Sequence, residues 1–217
     1  VGSEMCIRDR NYSSYIDLIC LFDPETFPYR GRQTPSHCAV KITRKLIEYI
    51  QERDSNGYVF RVDLRLRPDP GSTPVAVSFN GAEAYYQSLA QTWERSAFIK
   101  ARPIAGDMTA GAEFLERLRP FIWRRHLDFA AIDDIHMMKS RIHEHGFHRG
   151  RVLAGHDVKL GVGGIREIEF YAQIHQLISG GRRVDLQKRP TLEVLEALHK
   201  AGDISQTEYT ELCEAYH

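Results

Sequence analysis

The residues best equipped for chemistry are gathered in one stretch, Y-V-F-R-V-D-L-R-L-R-P at 58–68. Its alternation predicts an extended strand, because successive strand side chains point to opposite sides. Tyr58, Phe60, Val62, Leu64 and Leu66 would form the inward face, and Val59, Arg61, Asp63, Arg65 and Arg67 the outward one. Three arginines around one carboxylate suit a phosphate held together with a metal ion, since the guanidinium fork matches phosphate oxygens. A solvated sheet face carrying an Arg/Asp pair is the plainer alternative. A second carboxylate, Asp17, falls inside the apolar run 16–22, where it needs a cation or a donor as partner. Two carboxylates on neighbouring strands offer the hard oxygens a divalent cation takes in phosphoryl or nucleotidyl transfer, substrate phosphates completing its shell. Ser13 and Ser14 stand just before the first strand, with hydroxyls and backbone N–H groups able to hold a phosphate.

The elements that must position these groups follow from the pattern around them. Ile16, Leu18, Ile19, Cys20, Leu21 and Phe22 predict a buried strand. Pro24, Pro28, Gly31 and Pro35 make 23–37 a loop. Val40, Ile42, Leu46, Ile47 and Ile50 recur at helical spacing and predict an amphipathic helix over 39–53. The order is strand, helix, strand, followed by the turn P-D-P-G-S-T-P and a further strand, V-A-V-S-F at 75–79. From Gly81 the period changes to 3.6, predicting helices over 82–101, 114–128, 132–145, 165–178, 191–200 and 207–216. Pro120 should kink the second of these, and Thr or Ser residues cap the last two. Tyr85, Tyr86 and Trp93 are expected in the core of the helical part. The strand V-K-L at 158–160 leads through G-V-G-G at 161–164 into a helix whose opening turn carries Glu167 and Glu169. Gly163 and Gly164 could present a helix N-terminus to an anion, or serve close helix packing. The architecture expected is a small mixed sheet followed by a helical region, divided near residue 108.

Composition narrows the class. The 29 basic and 29 acidic residues among 217 cancel, which argues against a general nucleic-acid or membrane-surface binder. Cys6, Cys20, Cys38 and Cys213 lack C-x-x-C spacing, so neither a zinc site nor a disulfide framework is signalled, and reduced thiols in a cytoplasmic protein are expected. No apolar run reaches the roughly 18 residues needed to span a bilayer, and a soluble chain is expected. His136, His143, His145, His148 and His156 match no zinc spacing and read as helix-face residues. Residues 1–10 carry no helix or strand period and are expected to be disordered or foreign to the domain. The helical pattern is still running at the far end, so the chain reads as part of a longer protein.

Four segments, in this order, carry a resemblance. They are S-S-x-I-D-L-I at 13–19, V-F-R-V-D-L-R-L-R-P at 59–68, W-E-R-S-A-F-I-K-A-R-P-I-A-G-D at 93–107 and G-G-I-R-E-I-E-F at 163–170. Together they resemble the glutamine synthetase adenylyltransferase/adenylyl-removing enzyme family of the DNA polymerase β-like nucleotidyltransferase superfamily. The resemblance implies an α+β fold, with the polymerase β-like mixed sheet in a nucleotidyltransferase domain at 11–107 and a helical region at 108–217. It is nearest to the N-terminal of that family's two related domains, the one that removes AMP. Inorganic phosphate would attack the AMP joined to a tyrosine of glutamine synthetase, giving ADP and the unmodified synthetase. The other domain would run the ATP-dependent attachment.

Carried over by residue, the resemblance makes Asp17 the second carboxylate of the family's D-x-D pair and Asp63 the third, catalytic residues that hold magnesium or manganese. Ser13 and Ser14 take the phosphate-binding position. Arg65, Arg67, Lys100 and Arg102 could neutralise substrate phosphates, with salt bridges to Glu94 or Asp107 as the alternative. The partners implied are adenylylated glutamine synthetase, ADP or ATP, inorganic phosphate and a PII-type signalling protein, with no nucleic acid or membrane. The chain departs from the pattern at position 15, where Tyr15 stands in place of the first carboxylate; a phenol is a poor magnesium ligand. The G-E-L-N segment of the family is also absent from 7–11. Two further functions are compatible with these residues. One is a catalytically impaired module that docks glutamine synthetase, and the other is a nucleotidyltransferase of the same superfamily acting on another substrate.

Overall fold

The computed structural model describes residues 2–3, 15–55, 57–126, 133, 137 and 164–216. Ser13, Ser14, Gly163, the expected helix at 132–145 apart from 133 and 137, the strand at 158–160 and the five histidines therefore lie outside the described residues. The chain divides into two compact units, 1–121 and 122–217.

In the first unit the apolar run 16–22 forms two short strands that serve different partners. Strand β1 is Gly2–Ser3, β2 is Tyr15–Leu18 and β3 is Cys20–Phe22. Helix α1, Pro35–Gln51, leads to β4, Arg61–Asp63, and then to β5, Ala76–Ser78. β2 pairs with β4 in parallel, and β3 pairs with β5 in parallel as a separate two-stranded sheet. The larger sheet runs β4-β2-β1-β6, where β6 is Ala101–Arg102 and β1 is antiparallel to both neighbours. Parallel neighbours need a crossover, and α1 supplies it between β2 and β4. The helix starts earlier than its apolar spacing predicts: Pro35 occupies the first turn and the Thr34 hydroxyl accepts the His37 N–H at 3.3 Å. Its inner side is Ala39 and Thr43, whereas Ile42 and Leu46 of the predicted apolar stripe are exposed.

The strand predicted over 58–68 shrinks to three residues, for reasons found at each end. Upstream, Val59 and Phe60 give their N–H groups to the Ile50 carbonyl, and Gly57 at φ +110° closes a turn with Asp54. Val59 and Phe60 are accordingly exposed. Downstream, the Asp63 carboxylate accepts the backbone N–H of Arg65 at 2.8 Å, an aspartate turn that ends the ladder. Residues 64–73 then form a corner. Arg67 donates to the carbonyls of Leu64, Pro70 and Thr73, and the Tyr86 hydroxyl donates to the Leu66 carbonyl at 2.6 Å.

The single helix predicted over 82–101 is two, α2 at Phe79–Ser88 and α3 at Thr92–Ile99. The break forms where the Gln91 N–H turns to the Glu94 carboxylate at 2.7 Å, starting a fresh helix. Pro120 separates rather than kinks: α4 is Met108–Arg117, capped by Asp107, and α5 is Arg119–Ile122 with the proline in its first turn. Tyr86, Phe98 and Phe121 pack with ring centres 4.6 to 6.3 Å apart and form the aromatic core of this unit. Tyr85 is partly buried, and Trp93, expected in the core, is 42% exposed.

The second unit is helical. Helix α6, Ile165–Ser179, is followed by a 3₁₀ turn at Val184–Leu186, α7 at Thr191–Lys200 and α8 at Gln206–Tyr216. Ile168, Ala172, Leu186, Val194, Leu195 and Leu198 make its core. Buried Gln176 donates to the carbonyls of Leu186 and Lys188, both at 2.7 Å, and so fixes the connection between α6 and α7. Ser205 and Glu208 form a reciprocal capping box at the start of α8, while α7 begins at Pro190 without a side-chain cap. No helix among the described residues is long and apolar enough to cross a membrane.

Candidate active site

The register of β2 and β4 sets out the site. Asp17 stands opposite Asp63, and Tyr15 opposite Arg61. Paired residues of parallel strands share a face, about 4.8 Å apart, so one side of this strand pair displays Tyr15, Asp17, Arg61 and Asp63. The two carboxylates distant in sequence are thereby neighbours, through the parallel pairing that α1 makes possible.

Asp63 is the better defined of the two. Its side chain is 14% exposed. Oδ1 accepts the Arg65 backbone N–H at 2.8 Å and Nε at 3.0 Å, while Oδ2 accepts Nε at 2.8 Å and Nη2 at 2.5 Å. The Arg65 guanidinium holds the Asp63 carboxyl below the usual carboxylate range, against the opposing effect of burial. Arg65 is itself 85% exposed and lies within the electrostatic reach of Asp17 as well as Asp63. Arg61 makes a second cationic position. Its Nη1 donates to the Tyr15 hydroxyl at 3.3 Å, and its guanidinium carbon lies 5.4 Å from the Tyr15 ring centre and 5.6 Å from that of Tyr58.

Other predicted site residues fall elsewhere. Arg67 turns away into the corner 64–73, where all three of its donor nitrogens meet carbonyls. Arg102 stands in the row of Leu18 through Gly2, one residue out of phase with Asp17 and hence on the other face of the sheet. Lys100 is buried at the end of α3. Asp107 caps α4, and Glu94 accepts from Gln91 and Tyr85. In the second unit, Gly164 precedes α6 and buried Glu169 accepts the Tyr216 hydroxyl at 3.2 Å, which joins α6 to α8. Arg61, one of the three arginines on the predicted outward face of 58–68 though given no individual role there, stays beside the carboxylates, whereas Arg67 does not.

Among the described residues no three His, Cys, Asp or Glu side chains cluster as a complete protein cage for a metal. Two in-register carboxylates are nevertheless a fitting donor set for magnesium, which is commonly held by one or two carboxylates plus substrate phosphates. Paired carboxylates beside exposed arginines on one strand pair offer oxygens to a cation and donors to a phosphate.

Comparison with known proteins gives that layout a family. The family model described as glutamate-ammonia ligase adenylyltransferase matches residues 7–117. A second, described as GlnD PII-uridylyltransferase, matches residues 136–217. The chain is 52% identical over 206 residues to the bifunctional glutamine synthetase adenylyltransferase/adenylyl-removing enzyme of Rhizobium meliloti, covering 95% of this chain and 21% of that protein. It is 52% identical over 209 residues to the enzyme of the same name from Xanthobacter autotrophicus, covering 96% of this chain and 21% of the relative. The chain belongs to the glutamate-ammonia ligase adenylyltransferase family, and it spans about a fifth of the length of these relatives.

Proposed function

We propose that the first unit is a DNA polymerase β-like nucleotidyltransferase domain which, within a longer enzyme, removes AMP from a tyrosine of glutamine synthetase by phosphorolysis. The observation that carries this reading is the in-register pair Asp17 and Asp63 on parallel strands, in a chain of this family. In the reaction an oxygen of inorganic phosphate attacks the phosphorus of the tyrosyl-AMP. The bond from phosphorus to the phenolic oxygen breaks, the tyrosine regains its proton and ADP departs. Asp17 and Asp63 supply the oxygens for magnesium or manganese, and Arg65, with Ser13 and Ser14, binds phosphate oxygens. The bound cation would neutralise charge building on the attacked phosphate. A PII-type signalling protein is the proposed regulator, supported by the uridylyltransferase match over the second unit.

Calorimetric titration of ADP with magnesium tests the site. The parent chain is expected to bind and Asp63→Asn to lose detectable binding; equal binding by the two would sink the assignment. Tyr15 favours a second reading, in which the domain docks glutamine synthetase without turnover, because a tyrosine held by Arg61 stands where the family carries a carboxylate. Phosphate-dependent ADP release from adenylylated glutamine synthetase separates the two. Release by the parent upholds the enzyme, whereas release by Tyr15→Asp alone, with synthetase still captured by the parent, upholds the docking module.

A further inference from the structure

A carboxylate offers about four lone-pair positions to donors or cations. At Asp63 a single residue engages both oxygens twice: the Arg65 backbone N–H and Nε reach Oδ1, and Nε and Nη2 reach Oδ2, all within 2.5 to 3.0 Å. A cation that takes Asp63 as a ligand competes with Arg65, whose three N–H donors already cover most of the lone-pair positions of those oxygens. The surroundings make movement of the guanidinium easy. The Arg65 side chain is 85% exposed, its only side-chain ion pair among the described residues is with Asp63, and the backbone N–H contact survives a swing of the side chain. Two residues further on, Arg67 is tied to three carbonyls and has no such freedom.

We propose that Arg65 is an exchangeable counter-ion that couples metal and nucleotide binding: it sits on Asp63 until a nucleotide phosphate draws it away, and so frees the carboxylate for the metal. This inference rests on the proposed nucleotide site and adds a positioning role to it. The guanidinium has two competing anionic partners, Asp63 and a phosphate, and a fork suited to both. Phosphate binding therefore removes the competitor of the metal, and metal binding releases a cation for the phosphate. Coupling of this kind is reciprocal, so each ligand must tighten the other by the same factor.

The test is a titration of manganese, followed by electron paramagnetic resonance of the free ion, with and without ADP. It uses the parent chain, Arg65→Ala and Arg65→Lys. In the parent, ADP is expected to tighten manganese by a factor on the scale of about fivefold or more, typical of coupled sites. In Arg65→Ala, manganese alone should bind roughly two- to fivefold tighter than in the parent, the scale of one exposed ion pair. ADP should then bind more weakly and tighten manganese less. Arg65→Lys, which keeps the charge but loses the fork, should fall between. If Arg65→Ala binds manganese alone no better than the parent, with ADP coupling unchanged, the exchange is overturned while the nucleotide site stands. If the parent binds neither manganese nor ADP, the site assignment falls, and this inference with it.

Discussion

Two densely charged regions of the first unit use the same residue types to opposite ends. On the β2–β4 face, 85%-exposed Arg65 pairs with the Asp63 carboxylate, the kind of partner that a phosphate could replace. In the corner 64–73, Arg67 donates to the carbonyls of Leu64, Pro70 and Thr73, and on α3 fully buried Arg95 donates through Nε to the carbonyl of Phe121 at 3.1 Å. A carbonyl has no counter-charge that a ligand could replace, so arginines spent on backbone hold shape. The difference teaches that partner type and exposure, not the density of arginine in a motif, separate a binding cation from a structural one.

Replacing Arg95 with alanine should break this contrast most severely. It would empty the largest fully buried side-chain volume of the unit and leave the Phe121 carbonyl without that donor. A loss of about 3–5 kcal/mol is expected, in the range of large-to-small core changes with a buried polar group stranded. Chemical denaturation monitored by circular dichroism measures it, and a loss below about 1 kcal/mol would place Arg95 with surface residues. Arg67→Ala comes next. Freeing three carbonyls of the corner should cost about 1–2 kcal/mol. Arg65→Ala should move the same unfolding curve by less than about 1 kcal/mol, the scale of one exposed ion pair, so that equal effects at 65 and 67 would erase the distinction between face and corner.

The sequence makes the strand–helix–strand order legible from an apolar run, an amphipathic stretch and a second alternating run, whereas the parallel pairing of the two strands is read from their register. It also exposes Asp17 and Asp63 as the pair of interest, since a carboxylate inside an apolar run is costly without a purpose. What it conceals is where alternation stops being a strand. Residues 58–68 alternate throughout, yet Asp63 caps its own strand with the Arg65 N–H, and no periodicity reports a hydrogen bond of that kind. The same blindness hid the fates of Arg67 and Trp93, the first drawn into a turn and the second left at the surface by the break before α3. The helix break is itself a side-chain event, Glu94 reaching back to the Gln91 N–H inside an otherwise helical pattern.

Acidity offers the finest test of the two regions, because their carboxylates are shifted in opposite directions. Burial raises Glu94 above its ordinary 4.5, with the Gln91 N–H and the Tyr85 hydroxyl only partly offsetting it. The folded chain then binds more protons there than the unfolded one, so this group lowers stability as pH climbs through the interval just above 4.5. Asp63 is lowered from 3.8 by Arg65. Its contribution is complete above 3.8 and is lost as pH falls below that value. Thermal unfolding followed between pH 3 and 7 should therefore show two slopes of opposite sign. Glu94→Gln should flatten only the decline above 4.5, since the amide oxygen still accepts from Gln91 but cannot ionise. Asp63→Asn should reduce only the acid limb, to which Asp185, lowered by Arg183, also contributes. Should one substitution remove both slopes, the two carboxylates would be titrating as a single linked group, and the division between exchangeable face and fixed corner would have to be redrawn.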